Sequence, residues 1–179
     1  MFPTSNFLKS GFSRLKKKKM IIKKTKTMAL ANLNFESFAH DAHKYVNELA
    51  EELGHPEEKN RSLIIWRSVM HTVRDRIHLG ESFQIIDPIP MIFKGIFVQS
   101  WKYSEKPPLH YETMEEMKNH VKDLQALHGE REFPWSKSTE EIISITINSL
   151  KRFIPEGQME HIIGQMPKEI KEYLGEKVL

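Results

Sequence analysis

The sequence predicts an all-α protein, a compact helical bundle built from two copies of a multi-helix repeat. Apolar residues recur at spacings of three and four from Phe35 almost to the end of the chain, which is the period of an amphipathic helix. No segment alternates apolar and polar residues for long enough to form a sheet strand. In addition, two stretches, 72–97 and 149–174, align with each other after a shift of 77.

The first half is predicted to contain four helices. Asn34 is the candidate N-cap of the first helix, and Gly54 ends it. Its apolar stripe consists of Phe35, Phe38, Ala42, Tyr45, Leu49 and Leu53. Pro56 at a first helical position predicts a second helix running to about Ile77. A short helix near 81–86 and a further helix at 91–101 follow, separated by Pro88 and Pro90.

The second half is predicted to begin after a polar, proline-containing linker at 104–112. Thr113 with Glu116, and Ser138 with Glu141, match the capping box that opens a helix. The first of these helices is expected to end at Gly129. The last two helices are predicted at 157–165 and 167–174.

The repeat rests on apolar matches more than on identity. Six aligned positions are identical, Ile77/Ile154, Gly80/Gly157, Ile85/Ile162, Ile86/Ile163, Pro90/Pro167 and Lys94/Lys171, and the apolar positions around them also correspond. An extended solenoid needs about three or more repeats, so two copies are expected to pack face to face. The predicted boundaries are a tail at 1–29, a first repeat at 30–103, the linker at 104–112 and a second repeat at 113–175 packed on the first as one domain.

The basic character of the chain belongs to its N-terminal tail. Residues 1–27 carry nine Lys and Arg and no acid, whereas the remainder carries 18 Lys and Arg against 24 Asp and Glu. The tail is predicted to be disordered, and three functions stay open for it. The first is an arm that binds nucleic acid or an acidic membrane, and the second is a mitochondrial presequence. The third, which is favoured, is an extension upstream of a natural start at Met28 or Met20. The lysines expected to contact an anionic surface are Lys16, Lys17, Lys18, Lys19, Lys23 and Lys24.

Composition excludes several classes of protein. The chain has no cysteine, which excludes disulfides, thiolate metal sites and cysteine nucleophiles, and fits a reducing compartment. No run of about 18 apolar residues is present to span a membrane. The longest apolar run of the tail, Met20 to Ile22, is too short for a secretory signal. We therefore expect a cytoplasmic protein.

Several stretches resemble a bacterial domain-of-unknown-function family, number 2267, over about residues 33–174. They are RSVMHTVRDRIHLGES, PIPMIFKGIF, KPPLHYETMEEM and GQMPKEIKEYL. The most specific parts are the segment from His71 to Ile77, Pro90 with Gly95, Trp101, and the segment from Gln165 to Pro167. The resemblance implies a duplicated all-helical protein, mostly cytoplasmic, with no established activity, substrate or cofactor.

Glu36, His40 and His43 form the most metal-like cluster. Spacings of four and three place them near one face of a helix, and His and Glu are ligands of zinc and iron. A di-iron bundle requires Glu-x-x-His on two helices plus two further Glu, whereas this chain offers one Glu-x-x-x-His. A solvated polar face is therefore the favoured interpretation, and no cofactor is expected.

The motif HTVRDR carries the remaining candidates, His71, Arg74, Asp75 and Arg76. His71 and Asp75 are four residues apart and can meet on a helix, which is one half of general-base geometry. The structural interpretation, which is favoured, places the basic residues near a helix C-terminus, where cations suit the dipole. Arg74 and Asp75 are also candidates to pair with the other repeat. If the motif is exposed, these four residues are candidates for binding a partner.

The aromatic residues are expected to serve the core. Trp101 and Trp135 flank the first helix of the second half and are predicted to close the core, with an exposed protein-binding pair as the alternative. The segment MIFKGIFVQSW is predicted to be a core helix rather than a membrane-surface helix, because its basic face is reduced to Lys94 and Lys102.

The favoured function is a protein-interaction or regulatory module without catalytic activity. It rests on the duplication and on the lack of a reaction motif such as a nucleophile elbow or a phosphate-binding loop. A metal-binding or hydrolytic protein that uses His71 and Asp75, or His40 and His43, is the first alternative. Association with DNA or a membrane surface through the tail is the second. The expected partner is an unknown protein, and a homo-oligomer is also open.

Overall fold

The computed structural model describes residues 34–102, 104, 106–107, 109–130 and 133–178, and the described part contains eight α-helices and no strand. The all-α prediction is therefore confirmed. We number the helices α1 Phe35–Glu52, α2 Lys59–Arg74, α3 Leu79–Ile86, α4 Met91–Val98, α5 Met114–Leu127, α6 Thr139–Asn148, α7 Glu156–Gly164 and α8 Lys168–Val178. A 3₁₀ turn, Ser149–Arg152, extends α6.

Three predicted helix starts are confirmed by their caps. The Glu36 amide donates to Asn34 Oδ1 at 2.9 Å at the start of α1. Thr113 and Ser138 each accept from the backbone amide three residues on, and Glu116 and Glu141 reach back to the cap amides. These capping boxes satisfy backbone donors that the first turn of a helix leaves without partners.

The boundaries of α2 differ from the prediction. Pro56 lies in a turn, and α2 begins three residues later, at Lys59. It ends at Arg74, although the Ile77 amide still donates to the Val73 carbonyl at 3.1 Å; just after this end, the carbonyl of Asp75 accepts from the Leu109 amide at 2.9 Å. A segment distant in sequence therefore contacts the chain at this end.

The stripe predicted for α1 is buried only from its middle onward. Phe35 is 84% exposed, whereas Tyr45, Leu49 and Leu53 are fully enclosed. The helix therefore begins to contribute to the core about two turns after its start.

Helix α2 lies at the centre of the bundle and packs against α4, α5 and α6. Its Ile65, Trp66, Val69 and Met70 have no exposed surface. They belong to one apolar cluster that draws residues from both halves of the chain. Burial of this cluster is the main force that holds the helices together, since an individual helix of 8 to 18 residues is marginal in water.

A chain of buried hydrogen bonds crosses this core. Trp66 Nε1 donates to the Tyr45 hydroxyl oxygen at 2.9 Å, and Tyr45 lies 2.6 Å from Ser149 Oγ. Because the Ser149 hydroxyl donates to the Thr146 carbonyl, Tyr45 must be the donor to Ser149. Burial raises the pKa of Tyr45 to about 12, so the phenol keeps this proton. The chain joins α1 and α2 to the turn after α6.

The predicted repeat assigns α3 to α7 and α4 to α8 as equivalents, and these helices begin 77 residues apart. Helix α3 also packs against α7, and α2 against α6. Residues 38–179 form one compact unit. The duplication itself, and the boundaries of its copies, stay predictions because matching helix positions do not compare the two backbones.

Candidate functional site

His71 is a structural residue in this fold. Its side chain is buried, and Nε2 lies 2.8 Å from the carbonyl oxygen of Ile96 in the last turn of α4. Since a carbonyl accepts, Nε2 carries the proton. Burial lowers the pKa of His71 to about 4, with the cations of Arg74 and Arg67 contributing, so the imidazole is neutral. It gives a second, shorter hydrogen bond to a carbonyl at the end of α4 that also accepts from the Gln99 amide at 3.2 Å.

Arg74 continues the same cap. It is 5% exposed, and Nη1 donates to the carbonyls of Phe97 at 2.6 Å and Gln99 at 3.2 Å. Nε and Nη2 donate to the two carboxylate oxygens of Asp75 at 2.7 and 3.1 Å. The guanidinium also lies 5.3 Å from the ring centroid of Trp101. A cation at the negative end of α4 is favourable, and the Asp75 carboxylate balances its charge.

These contacts correct three predictions. The hydrogen bond that the spacing of His71 and Asp75 allows is not formed, because His71 Nε2 binds the Ile96 carbonyl and Asp75 accepts from Arg74. The pairing of Arg74 and Asp75 with the other repeat is also wrong, since Arg74 binds α4 of the same half. The helix end that His71 and Arg74 cap is that of α4 rather than of their own helix. Both side chains are buried, and their partner-binding role stays a prediction.

Arg76 is the member of the motif that extends toward the second half. Its Nη2 lies 3.9 Å from Glu112 Oε1, and its guanidinium is 5.7 Å from the ring centroid of Tyr111. The side chain is 19% exposed. A partner-binding role for Asp75 and Arg76 stays a prediction.

The predicted metal cluster gains no further ligand. His40 and His43 are exposed on α1, as is Glu36. Within the described ranges, no group of three His, Asp or Glu side chains is placed to hold a metal ion. The structure therefore brings no ligand from another helix to these residues.

Both tryptophans pack against the core, as predicted. Trp101 contacts Phe97 at 6.0 Å between ring centroids, and both Trp101 and Trp135 are partly buried at the edge of the apolar cluster. Helix α4 buries Phe93 and Phe97, which confirms the core-helix prediction for its inner face. It ends at Val98 rather than Trp101, where its carbonyls meet His71 and Arg74. Among the described helices, none is long and apolar enough to cross a membrane.

An open groove lies between α1, the α3–α4 turn and the turn after α6. It consists of two adjoining hollows of about 630 and 480 Å³ that share Pro88 and Phe153. We call it the Pro88–Phe153 groove. Its lining residues are Asp41, Lys44, Tyr45, Glu48, Phe83, Gln84, Asp87, Pro88, Pro90, Arg152, Phe153, Pro155 and Gln158.

The apolar surface of this groove is accessible. Phe83 is 59% exposed, although phenylalanine is normally buried. Phe153 is partly buried and packs edge-to-face on Tyr45 at 4.9 Å. Pro88 and Pro155 complete an apolar wall that has rigid backbone on both sides. Gln158 Nε2 donates to Gln84 Oε1 at 2.9 Å, and this bond joins α3 and α7 beneath the wall.

The charges of the groove are unevenly compensated. Arg152 Nε lies 3.0 Å from Glu48 Oε2, its Nη2 bonds Glu52, and its guanidinium lies over the Tyr45 ring. Its charge is therefore satisfied within the protein. Asp41 and Asp87, in contrast, make no ion pair with any described residue.

The sequence predicted no role for Phe83, although a signal was present. The shift of 77 that aligns the two halves pairs Phe83 with Glu160, an exposed charged residue, and pairs its neighbour Ser82 with the buried Met159. The alignment therefore places Phe83 on the solvent side of its helix. Pro88 and Phe153, by contrast, lie in segments far apart in the sequence. A pattern within one segment could not predict that they line the same groove.

The lysines proposed for contact with an anionic surface lie outside the described residues. The described part of the chain begins at residue 34, after all six of them: Lys16, Lys17, Lys18, Lys19, Lys23 and Lys24. Association with nucleic acid or an acidic membrane through them stays a prediction.

Comparison with known families identifies a family match. The model of the family described as "Uncharacterized conserved protein (DUF2267)" matches residues 42–173, well over half of the chain. The search of curated proteins gave no match.

Proposed function

The chain belongs to the DUF2267 family, and we propose that it is a protein-interaction module that regulates a partner by binding rather than by catalysis. The observation that carries the proposal is the exposed Phe83 at the edge of the Pro88–Phe153 groove. An exposed aromatic beside an open apolar wall is typical of a surface that another protein covers. The absence of cysteine fits a cytoplasmic location.

The chemistry of the groove favours a partner segment with an apolar side chain flanked by basic residues. Phe83, Phe153 and the prolines offer apolar contact to such a side chain. The carboxylates of Asp41 and Asp87 and the ammonium group of Lys44 lie on the same surface without ion-pair partners among the described residues. Acids therefore outnumber cations there, so a basic flank would be favoured by charge complementarity. Such a partner meets the apolar wall and the acidic rim at once.

The catalytic alternative has less support. His71 donates to a main-chain carbonyl, and Asp75 is occupied by Arg74. A general base must reach the proton that it removes, and a buried imidazole committed to a helix end does not present a free nitrogen at Nε2. These groups contribute to stability instead.

The proposal is tested by photo-crosslinking in the native host. p-Benzoylphenylalanine replaces Phe83 in one variant and Leu127, which is 74% exposed and lies outside the groove, in the other. We expect one dominant protein adduct from position 83, and its loss when untagged wild-type chain is co-expressed. Co-expressed F83D should not compete. The same adduct from both positions, or equal competition by F83D, would contradict the proposal.

A further inference from the structure

Two glutamine side chains lie beneath the apolar wall of the Pro88–Phe153 groove with part of their hydrogen-bonding capacity unused. Gln84 on α3 and Gln158 on α7 line the same hollow, which has a volume of about 480 Å³. Gln158 Nε2 donates to Gln84 Oε1 at 2.9 Å, and neither side chain bonds another described residue. Gln84 Nε2 is therefore an unused donor and Gln158 Oε1 an unused acceptor. Neither atom is enclosed, and both side chains are only partly buried.

The surroundings of this amide pair are mostly apolar. The other residues that line the hollow are Phe83, Asp87, Pro88, Phe153 and Pro155. An apolar group that fills the hollow excludes water from both amides. A polar group that loses water without gaining a partner is costly, so an occupant is favoured if it also supplies one acceptor and one donor.

The main chain of an extended peptide supplies this combination beside an apolar side chain. Each residue other than proline carries one N–H donor and one C=O acceptor. In an α-helix these groups bond to one another, so a helical segment would leave both glutamine amides unpaired. An extended segment keeps them free, and its side chains alternate in direction, so one can enter the hollow while the main chain meets the amides. The pair therefore favours an extended occupant over a helical one.

The charge at the edge of the hollow specifies a neighbour of that side chain. Asp87 is exposed, and its carboxylate forms no ion pair with a described residue. Lys94 Nζ binds the Asp87 carbonyl at 2.6 Å rather than the carboxylate. A Lys or Arg next to the apolar residue of the segment therefore gains charge complementarity.

We propose that this groove binds an extended peptide segment of a partner protein, in which an apolar residue is flanked by Lys or Arg. Gln84 Nε2 donates to a main-chain carbonyl of the segment, and Gln158 Oε1 accepts from a main-chain amide. The apolar side chain packs against Phe83 and Phe153, and the basic residue pairs with Asp87. The inference rests on the proposed protein interaction and adds the conformation and the recognition chemistry of the bound segment.

The test uses a display library of random linear peptides, selected on the full chain, from which peptides that also bind F83D are discarded. We expect the retained peptides to share an apolar residue with Lys or Arg beside it. One such peptide is then synthesised with an N-methyl group on each main-chain amide in turn, and its Kd is measured by fluorescence anisotropy. Methylation at one position, at or next to the apolar residue, should weaken binding at least about tenfold, because it removes the donor to Gln158.

The double variant Q84M/Q158M assigns this loss to the glutamine pair. It removes both amides at similar side-chain size, so neither is left without its partner. We expect it to bind the unmethylated peptide at least about tenfold more weakly than wild type, and methylation at the sensitive position should then cost less than about twofold. Q99M, at an exposed glutamine that does not line the groove, is the matched control and should keep the wild-type affinity and response to methylation.

Three results would overturn the inference. The first is a library that yields no peptide binding wild type and not F83D. The second is a retained peptide that tolerates methylation at every amide, which requires no glutamine variant to fold. The third is an equal loss on methylation in wild type and in a folded Q84M/Q158M. If the adduct at position 83 still forms in the native host, these results reject the extended segment and retain the protein interaction. Peptide binding as expected without that adduct would reject the proposed function and retain the binding mode.

Discussion

At the scale of the residue, the same side chains that suggest catalysis in the sequence complete a helix end in the structure. The spacing of His71 and Asp75 allows a dyad, and the basic content of the motif indicates a helix C-terminus. Both interpretations follow from the sequence. What the sequence could not show is which helix end is capped, because the acceptors at Ile96 and Phe97 lie more than 20 residues away and meet the motif only through packing of α2 on α4.

The buried neutral His71 makes stability depend on pH. Its pKa is lowered from 6.5 to about 4 in the fold, so between these values the unfolded chain binds a proton that the folded chain does not. The free energy of unfolding is therefore fully retained above pH 6.5 and falls as pH decreases toward 4. From pH 7.5 to pH 5 this contribution should fall by about 2 kcal/mol.

Urea unfolding of wild type and H71Q at the two pH values measures the effect. Glutamine can donate to the Ile96 carbonyl but does not titrate, so H71Q should lose less stability at pH 5 than wild type, by about 2 kcal/mol. H71A removes both the titrating group and the hydrogen bond to the Ile96 carbonyl, so it should already be less stable than H71Q at pH 7.5. The difference between the two variants measures the bond alone. An identical pH dependence in wild type and H71Q would show that His71 is not the titrating group.

The guanidinium of Arg74 cannot be replaced by an ammonium group. R74K keeps the charge but loses the two-pronged contact with Asp75 and one of the bonds to the α4 carbonyls. We expect the free energy of unfolding to fall by about 2–4 kcal/mol, measured by urea denaturation. R61K is the matched control, because Arg61 is 39% exposed, and should change stability by less than about 0.5 kcal/mol. A loss as small in R74K as in R61K would argue against the cap.

At the scale of the element, starts were predicted better than ends. Thr113 and Ser138 open α5 and α6 as expected, because a capping box is formed by residues three apart. The ends of α2 and α4 came earlier than expected, and Leu109, His71 and Arg74 bind carbonyls at or just after these ends. Local chemistry fixes the first kind of boundary, and tertiary contacts accompany the second.

Removal of either cap hydroxyl should destabilise the bundle by a similar amount. T113A and S138A each leave a first-turn amide without its acceptor, and each should lower the free energy of unfolding by about 1 kcal/mol in chemical denaturation. T113S and S138T keep the hydroxyl and should stay close to wild type. If the alanine and hydroxyl-retaining variants were equally stable, the caps would contribute nothing measurable.

At the scale of the whole molecule, the apolar periodicity of the sequence was sufficient to predict the all-α class. It was not sufficient to predict the grooves on the surface. The apolar stripes predicted buried residues such as Tyr45, Trp66 and Phe93, but they also included the exposed Phe35. The Pro88–Phe153 groove combines segments far apart in sequence, from Asp41 on α1 to Gln158 on α7. Such surfaces depend on how helices pack, which a pattern along one segment does not contain.

The two halves should not fold separately. The core cluster includes residues from both, and the Tyr45–Ser149 bond joins them through the interior. Circular dichroism of fragments 34–103 and 104–179 should show little helix and no cooperative melting, whereas the intact chain should unfold in one transition. A cooperative transition in either isolated fragment would contradict a shared core.

We propose that the molecule acts by binding a partner through the Pro88–Phe153 groove. This interaction is tested most directly by the affinity of the partner trapped at position 83 for wild type, F83D and L127D. F83D should bind at least about tenfold more weakly, a loss of about 1.4 kcal/mol or more, while L127D should bind as wild type does. Equal affinity of a folded F83D and wild type would contradict it.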